Sequence, residues 1–405
     1  MTYYSYFLPL LSMNKYIQDS IRNNLRSIVS NLKRPQQKAI QEVVRGLFTV
    51  GTPVLKHLAQ DETKTAKKQG EKYSYHLGKI NLVDEIEEFS YRKTEKDVQD
   101  TTIISYDLSD INKDSAKKMA GISKVFDGSK RKVANGYTLH GVCINNKIAK
   151  LNIHKSNTHT LNQVRKSIVK NLSERLDRKG IWVFDRGNDH KHFIVDLRHE
   201  MKVHFIVRLK SNRQIVIKKT GELIKIEHTP IGRYEVYLMN KHNTRVDMRC
   251  TYTLIVKKHL KDHPPIRLLT YLHKPEQYTD KHIVNMYLER WGIENIFKRT
   301  KTKFDLEKVR VLDYQKLENI VALIQFVVNV STLIFYQVQQ KTNDLIASVL
   351  LFYKKFMRLK SLTFNIDSFI SYLRDTLHPL VRRKKPPSTQ LSLFSRRALV
   401  KLGLS

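Results

Sequence analysis

Residues 287–301 read YLERWGIENIFKRTK, and this stretch constrains the interpretation of the chain more than any other. At the 100° per residue of an α-helix, one narrow stripe collects Tyr287, Arg290, Glu294 and Lys301. A neighbouring stripe is apolar and consists of Met286, Ile293, Ile296 and Phe297. The pattern predicts one helix that holds an acid beside two cations and a phenol at the edge of a buried face. Such a set of side chains is suited to a metal ion and a phosphate backbone.

The composition of the chain is strongly basic. Lys and Arg number 73 against 38 Asp and Glu over 405 residues, which gives a formal charge of +35. Because so basic a protein repels itself, the excess charge indicates a polyanionic partner, and we expect nucleic acid rather than a membrane surface or an acidic protein. The basic residues are spread along the whole length, which favours a broad contact surface.

The N-terminal 100 residues have a helical pattern. Apolar residues recur at three-and-four spacing in two groups, Leu25, Ile28, Val29, Leu32 and Ile40, Val43, Val44, Leu47. Pro35 marks the start of the second helix, and the polar segment 61–70 is predicted to be a linker. We interpret residues 1–100 as a helical DNA-binding domain; the alternative is a helical scaffold with a solvated basic face.

An α/β pattern replaces the helical one near residue 101. Strands are predicted at 102–107, 137–144, 148–153, 181–184 and 203–209, with a helix at 161–178. Three strands, a helix, a strand, a helix and a strand is the order of a ribonuclease H-like sheet. Residues 101–209 are therefore interpreted as the first part of such a core.

The remainder divides into three segments. Residues 210–265 are strand-rich and are predicted to form a β insertion, after which 266–340 complete the core. The apolar run 320–336 is interrupted by Gln325 and Asn329 and is short for a membrane span, so we expect a buried helix and no membrane partner. Residues 341–405 are predicted to be a helical C-terminal region, with helical patches at 345–357 and 369–373 and a basic end around 382–388.

Three acids are placed as a two-metal site requires. Asp107 ends the first predicted strand, Asp185 ends the fourth, and Glu294 projects from the helix that would pack across the sheet. In this topology the first and fourth strands are neighbours, so the two aspartates lie side by side. Carboxylates are hard oxygen ligands suited to Mg²⁺, and two such ions can promote in-line attack on a phosphodiester.

Each acid also has a simpler interpretation. Asp110 and Asp114 lie close to Asp107 and compete with it for the role. The segment after Asp185 can be an ordinary turn in which Asp189 caps a helix. Glu294 can be a surface acid paired with Lys298 one helical turn later.

The spacing Y-x2-R-x3-E-x6-K, filled by Tyr287, Arg290, Glu294 and Lys301, resembles the signature of the DDE transposases of the insertion sequence four family. The resemblance extends to VFDRG at 183–187, FIVRLK at 205–210 and FDLEKV at 304–309, and it covers roughly residues 101–336.

This resemblance implies an α/β, ribonuclease H-like core with a β-strand insertion, an all-α domain before it and a helical tail after it. It implies Asp107, Asp185 and Glu294 as catalytic ligands of two Mg²⁺ ions, with Mn²⁺ as a substitute. The residues expected to contact DNA are Tyr287, Arg290, Lys301, Arg186 and Lys298.

The activity implied is cut-and-paste transposition of an insertion sequence in a prokaryotic cytoplasm, in association with the nucleoid. The enzyme would bind terminal inverted repeats and target DNA as a homodimer, hydrolyse phosphodiesters and transfer strands. Two alternatives are a ribonuclease H-like nuclease without strand transfer and a catalytically inactive, domesticated DNA-binding protein.

Some members of that family stack a flipped base on an aromatic residue of the insertion. The insertion here has no Trp, although Tyr234, Tyr237 and Tyr252 have suitable ring faces. Trp291 lies off the signature stripe and is either a core residue or a platform for DNA.

Overall fold

A computed structural model of the chain describes residues 4–59, 61, 63–128, 131–239, 245–260, 262–341 and 365–381. It divides into two compact units. The first contains the residues up to Phe89, Lys118–Ala120 and the residues from Lys298 onward; the second contains Ser90–Lys117 and Gly121–Phe297. The predicted patches 345–357 and the basic end 382–388 lie outside the described residues.

The first unit is helical in the part that the structure describes. Its helices are α1 (Tyr4–Val29), α2 (Arg34–Thr49), α3 (Ala66–Leu77), most of α4 (Val83–Arg92), α9 (Tyr314–Lys341) and α10 (Ile366–Val381). Pro35 lies in the first turn of α2, as predicted, because its fixed φ suits that position. The linker prediction for 61–70 is wrong in its second half: Thr65 caps α3 by accepting a hydrogen bond from the Lys68 backbone N–H.

Helix α9 is the central element of this unit. It is long and apolar enough to span a membrane, but 89% of its most apolar window is buried inside the protein. Asn319 is buried and makes three hydrogen bonds of 2.8–2.9 Å to the backbone of Leu77, Ile80 and Leu82. The prediction of a buried core helix is therefore confirmed, and Asn319 anchors the loop between α3 and α4.

The second unit is built on an eleven-stranded sheet within the described residues. The strands are β1 (Ile103–Asn112), β2 (Ser123–Asp127), β3 (Lys132–Ile144), β4 (Lys147–Ile153), β5 (Ile181–Phe184), β6 (His204–Arg208), β7 (Gln214–Ile217), β8 (Leu223–Lys225), β9 (Gly232–Met239), β10 (Val246–Lys257) and β11 (Ile266–Tyr271). Their order is β2-β3-β1-β5-β6-β11-β10-β9-β7-β8, with β4 on β3. Strands β1, β5 and β6 are parallel neighbours.

Two features of the sheet differ from the sequence prediction. Strand β1 continues to Asn112, so Asp107 does not end it; only the part paired with β5 ends at Tyr106. Strand β2 was not predicted, because the charged stretch before Asn135 has little periodicity. The predicted strand-rich character of 210–265 is confirmed, and its strands continue the same sheet.

Helices cover both faces of the parallel strands. On one face, α5 (Leu161–Arg175) and α6 (Lys191–His199) pack against Trp182 and Phe184 of β5. On the other, α7 (Asp280–Leu288) packs against Ile181 and Val183. This two-sided burial explains why β5 is continuously apolar rather than alternating.

Candidate active site

Asp107 and Asp185 occupy adjacent positions on the face covered by α7. Strands β1 and β5 are in parallel register, with Ser105 opposite Val183 and Tyr106 opposite Phe184. The two aspartates are the next residues of this register, and neighbouring strands are roughly 4.8 Å apart. The sequence prediction that the two acids lie side by side is confirmed.

The signature residues do not lie on one continuous helix, contrary to the prediction. Helix α7 ends at Leu288 and α8 (Trp291–Lys303) begins three residues later. Arg290 lies in the break, where its N–H donates to the carbonyl of Tyr287 at 3.1 Å, an i to i+3 bond tighter than that of an α-helix. Because of this break, the Arg290 side chain points toward the sheet. The sequence prediction assumed one ideal helix and therefore did not include this change of direction.

Arg290 links two of the three acids. Its Nη1 lies 2.8 Å from Oδ2 of Asp107, and its Nη2 lies 2.6 Å from Oε1 of Glu294. The guanidinium side chain is 6% exposed, whereas the Glu294 side chain is 52% exposed. The ion-pair partner of Glu294 is thus Arg290, on the preceding turn, and not Lys298 on the following one. Glu294 therefore faces the site that contains Asp107.

The electrostatics of Asp107 reflect this crowding. The pKa of Asp107 is raised to about 6, chiefly by burial and to a smaller extent by the negative charges of Asp185 and Glu294. The Arg290 guanidinium and a hydrogen bond from the Leu108 N–H act in the opposite direction. Asp107 therefore responds to the charges of the other two acids, as expected of a carboxylate that shares a site with them.

Tyr287 is buried and points at the second aspartate. Its hydroxyl donates to Oδ1 of Asp185 at 3.2 Å, and its residue exposure is 2%. Burial is the main reason that the pKa of Tyr287 is raised, so the phenol stays protonated and remains a donor. The structure places Tyr287 as a partner of an acid.

The donor set suits a hard divalent cation, because it consists of carboxylates from two adjacent strands and one helix. Among the described residues, however, no group of three or more His, Cys, Asp or Glu has the geometry to hold a metal ion. The Arg290 guanidinium lies between Asp107 and Glu294 and supplies the positive charge there. Cation binding by all three acids requires this arginine to withdraw.

The loop after Asp185 is held by buried polar side chains that the sequence interpretation missed. Asn188 accepts a hydrogen bond of 2.7 Å from Nη1 of Arg165, which also donates to Asn162 and stacks on the Phe193 ring. Arg165 is 4% exposed and occupies a position on the apolar stripe of α5. In the sequence, an arginine at an apolar position of the predicted helix was the only indication that this side chain has a buried polar partner.

Asp189 holds the other side of this loop. Its carboxylate pairs with Nε of Arg213 at 2.6 Å and accepts from the Lys210 N–H at 2.9 Å. Helix α6 begins with His190 as its N-cap residue, so the interpretation of Asp189 as a helix cap is wrong. Asp189 instead ties the loop to the segment that follows β6.

The remaining candidates are placed as follows. Asp110 accepts from Asn112 at 2.7 Å, and Asp114 pairs with Lys132 at 3.2 Å. Arg186 and Lys298 are exposed, and Lys301 pairs with Glu307 at 3.3 Å.

The aromatic candidates separate by burial. Tyr252 is 2% exposed, and Tyr234 and Tyr237 are half-buried. Trp291 is 55% exposed and is not a core residue. It borders a pocket of about 170 Å³ whose lining includes Arg208, Tyr287 and Arg290.

One family model matches the part of the chain that contains these residues. The family model described as "Transposase DDE domain" matches residues 98–330, which is more than half of the chain and includes every strand of the described sheet. The chain therefore belongs to the DDE transposase family. A search of curated proteins finds no match.

Proposed function

We propose that this protein is the transposase of an insertion sequence and that it cuts and joins DNA with Asp107, Asp185 and Glu294. The observation that carries the proposal is the register of β1 and β5, which sets two aspartates side by side, with Glu294 reaching the same arginine as Asp107. Three acids that repel one another would destabilise the fold if they had no function, so their placement at one edge of the sheet favours a catalytic role.

We further propose a ribonuclease H-like core and the Tyr-Arg-Glu-Lys signature of the insertion sequence four family. The order β4-β3-β1-β5-β6, with the first three strands antiparallel and the last two parallel to β1, supports this core. Strands β7 to β10 lie between β6 and β11 in the sequence and form the proposed insertion.

The proposed cofactor is a pair of Mg²⁺ ions, replaceable by Mn²⁺, held by Asp107, Asp185 and Glu294. Such ions, when bound, activate the attacking oxygen and neutralise charge on the leaving oxygen. The chain's own residues orient these ligands: Tyr287 donates to Asp185, and Asn188 and Asp189 anchor the loop behind it.

The proposed partner is double-stranded DNA, both the terminal inverted repeats and the target. Tyr287, Arg290, Lys301, Arg186 and Lys298 are the proposed contacts, because Arg grips phosphate with a planar fork and Lys acts as a point charge. The protein is proposed to act as a homodimer on the nucleoid in a prokaryotic cytoplasm, without a membrane partner.

The test uses the purified full chain and DNA that carries the ends of its own element, recognised as short inverted repeats bordered by direct duplications. Asp107→Asn, Asp185→Asn and Glu294→Gln should each lower Mg²⁺-dependent cleavage by more than about 100-fold while DNA binding is kept. Asp110→Asn and Asp114→Asn are matched controls and should retain cleavage. Full cleavage by the first three variants would refute the assignment.

A second assay separates the proposal from its two alternatives. Pre-cut ends incubated with target DNA and Mg²⁺ should yield joined products. A nuclease without strand transfer would cut but give no joined product, and an inactive domesticated protein would bind the ends without cutting them.

A further inference from the structure

The β2–β3 hairpin extends beyond the rest of the sheet. Strand β3 pairs with β1 only as far as Gly136, which lies opposite Asn112. From Gly136 back to Lys132, β3 pairs with β2 in the described structure. One further backbone hydrogen bond of 2.7 Å, from the Lys113 N–H to the Asn135 carbonyl, joins β3 to the segment after β1, and a two-stranded ribbon continues beyond it.

The ribbon projects from the edge of the sheet that carries the acids. Strand β1 runs past Asp107 toward Asn112, and Asp107 lies opposite Gly141 in β3. Val133 precedes Gly141 by eight residues, which is a reach of roughly 26 Å at about 3.3 Å per residue. This distance corresponds to about eight base pairs of duplex DNA at 3.4 Å each.

The outer face of the ribbon is apolar at its centre. Phe126 and Val133 are directly opposite each other and are 62% and 64% exposed. The next residues along, Val125 and Ala134, also face each other and are buried on the inner side. The ribbon thus has its own buried face, and the exposed phenylalanine is not needed to hold it together.

The charge around this pair is positive. Residues 123–136 contain four Lys or Arg and one Asp, and Lys124, Arg131 and Lys132 are exposed in the structure. Lys132 is partly offset by Asp114 at 3.2 Å. Because a second copy of the chain would bring the same cations together, the charge favours a polyanion as the occupant.

We propose that the β2–β3 hairpin is a DNA-gripping arm that contacts the duplex about eight base pairs from the catalytic acids. Lys124 and Arg131 bind phosphates, and Phe126 and Val133 pack against the sugars in the groove between them. The inference rests on the proposed function, since it takes DNA as the substrate. The duplex contacted is either the element's own end or the DNA next to it.

The experiment measures the affinity of the full chain for nested duplexes in Ca²⁺. Each duplex extends from the cleavage site by about 4 to 16 base pairs, either into the element or into the flanking DNA. For wild type, affinity should rise about tenfold once the duplex passes eight base pairs on one side, and that side identifies the DNA contacted. The variants are Phe126→Ser with Val133→Ser, and Lys124→Gln with Arg131→Gln.

Both double variants should lose this step, binding long duplexes five- to tenfold more weakly than wild type and short ones within about twofold. For the charge variant, the slope of log affinity against log salt concentration should also become shallower, by the amount that corresponds to about two lost phosphate contacts. Leu223→Ser and Lys219→Gln, exposed positions near β8, are matched controls and should behave as wild type.

If the variants bind long duplexes as wild type does while wild type cleaves DNA, the arm is refuted and the proposed function stands. Equal weakening on short and long duplexes also refutes it. A change in molar mass by light scattering without a change in DNA binding would assign the ribbon to self-association instead. If wild type binds no duplex, the proposed function fails and the arm with it.

Discussion

The Arg290 side chain carries a positive charge that two carboxylates share, within hydrogen-bonding distance of each. Burial alone would lower the pKa of Arg290, but Tyr287, Asp107 and the other acids raise it on balance. Asp107 and Glu294, which pair with this arginine, are also proposed ligands of the divalent cations. We therefore expect the arginine and the cation to compete for these two acids.

Arg290→Gln should expose this competition. The variant removes the guanidinium that pairs with Asp107, so the free energy of unfolding at pH 7.5 should fall by about 2 kcal/mol. Millimolar Mg²⁺ should then raise the melting temperature of the variant more than that of wild type, because no guanidinium has to be displaced. Thermal unfolding with and without Mg²⁺ measures both effects.

Arg299→Gln is the matched control. Arg299 pairs with Asp367 at 2.8 Å, and its side chain is also 6% exposed. This variant should be destabilised as well, but Mg²⁺ should shift its melting temperature as it shifts that of wild type. An equal Mg²⁺ shift in Arg290→Gln and wild type would contradict competition at the site.

At the scale of the element, the loop between β5 and α6 sets the position of Asp185. Asn188→Ala removes the partner of the buried Arg165 and loosens this loop. The Mg²⁺ concentration for half-maximal cleavage should rise about tenfold, as for other residues that orient metal ligands. Asn171→Ala, at an exposed position of α5, should leave the Mg²⁺ requirement unchanged, and an unchanged requirement in Asn188→Ala would exclude the positioning role.

Helix α8 is positioned by close contact with β3. A Cβ added at Gly141, opposite Asp107, would lie 2.6 Å from Cζ of Phe297 and 3.0 Å from Cδ1 of Ile293. Gly141→Ala should therefore push α8 and Glu294 away from the sheet, lowering cleavage and destabilising the fold by about 1–3 kcal/mol. Denaturant unfolding and the cleavage assay measure the two effects.

A second substitution tests the cause. Phe297→Leu in the Gly141→Ala background removes the clashing ring carbon and should restore part of the lost cleavage. Gly187→Ala, where no atom lies within 4 Å of the added Cβ, should change the unfolding free energy by less than about 0.5 kcal/mol. No recovery in the double variant would show that the ring is not the obstacle.

At the scale of the whole molecule, the core buries a histidine that cannot easily be protonated. His140 and the Tyr106 hydroxyl form a hydrogen bond of 2.7 Å between His140 Nδ1 and the phenol oxygen. Burial, followed by nearby His154, Arg165 and Lys150, lowers the pKa of His140 to about 3. The unfolded chain takes up a proton there near pH 6.5, whereas the folded protein does so only near pH 3.

The folded protein should therefore lose stability as the pH falls from about 6.5 toward 3, because the unfolded state binds the extra proton in this window. His140 alone contributes up to about 1.4 kcal/mol per pH unit. His140→Gln, which keeps an acceptor for Tyr106, should flatten the dependence of the unfolding free energy on pH. His282→Gln, at an exposed position, should not, and identical curves for His140→Gln and wild type would disprove the assignment.

Much of the fold was predictable because its signals are local. The strand pattern of β3 and β4, the continuous apolar run of β5, the periodicity of α2 and the long apolar run of α9 each depend on neighbouring residues of the chain. The side-by-side placement of Asp107 and Asp185 followed from the order of these elements, although β1 continues beyond Asp107. Strand β2 and the start of α3 were missed, since their residues are mostly polar and carry no clear period.

Local sequence patterns alone indicate most of the helices and strands and bring two acids onto neighbouring strands, because burial of apolar side chains imposes a short-range pattern. Which charges neutralise those acids becomes clear only from the folded arrangement. Arg290 and Asp107 are 183 residues apart, and Arg165 and Asn188 are brought together by the packing of α5. Ion pairs of this kind depend on distances that arise after the chain has folded, and the helix break at Arg290 sets one of them.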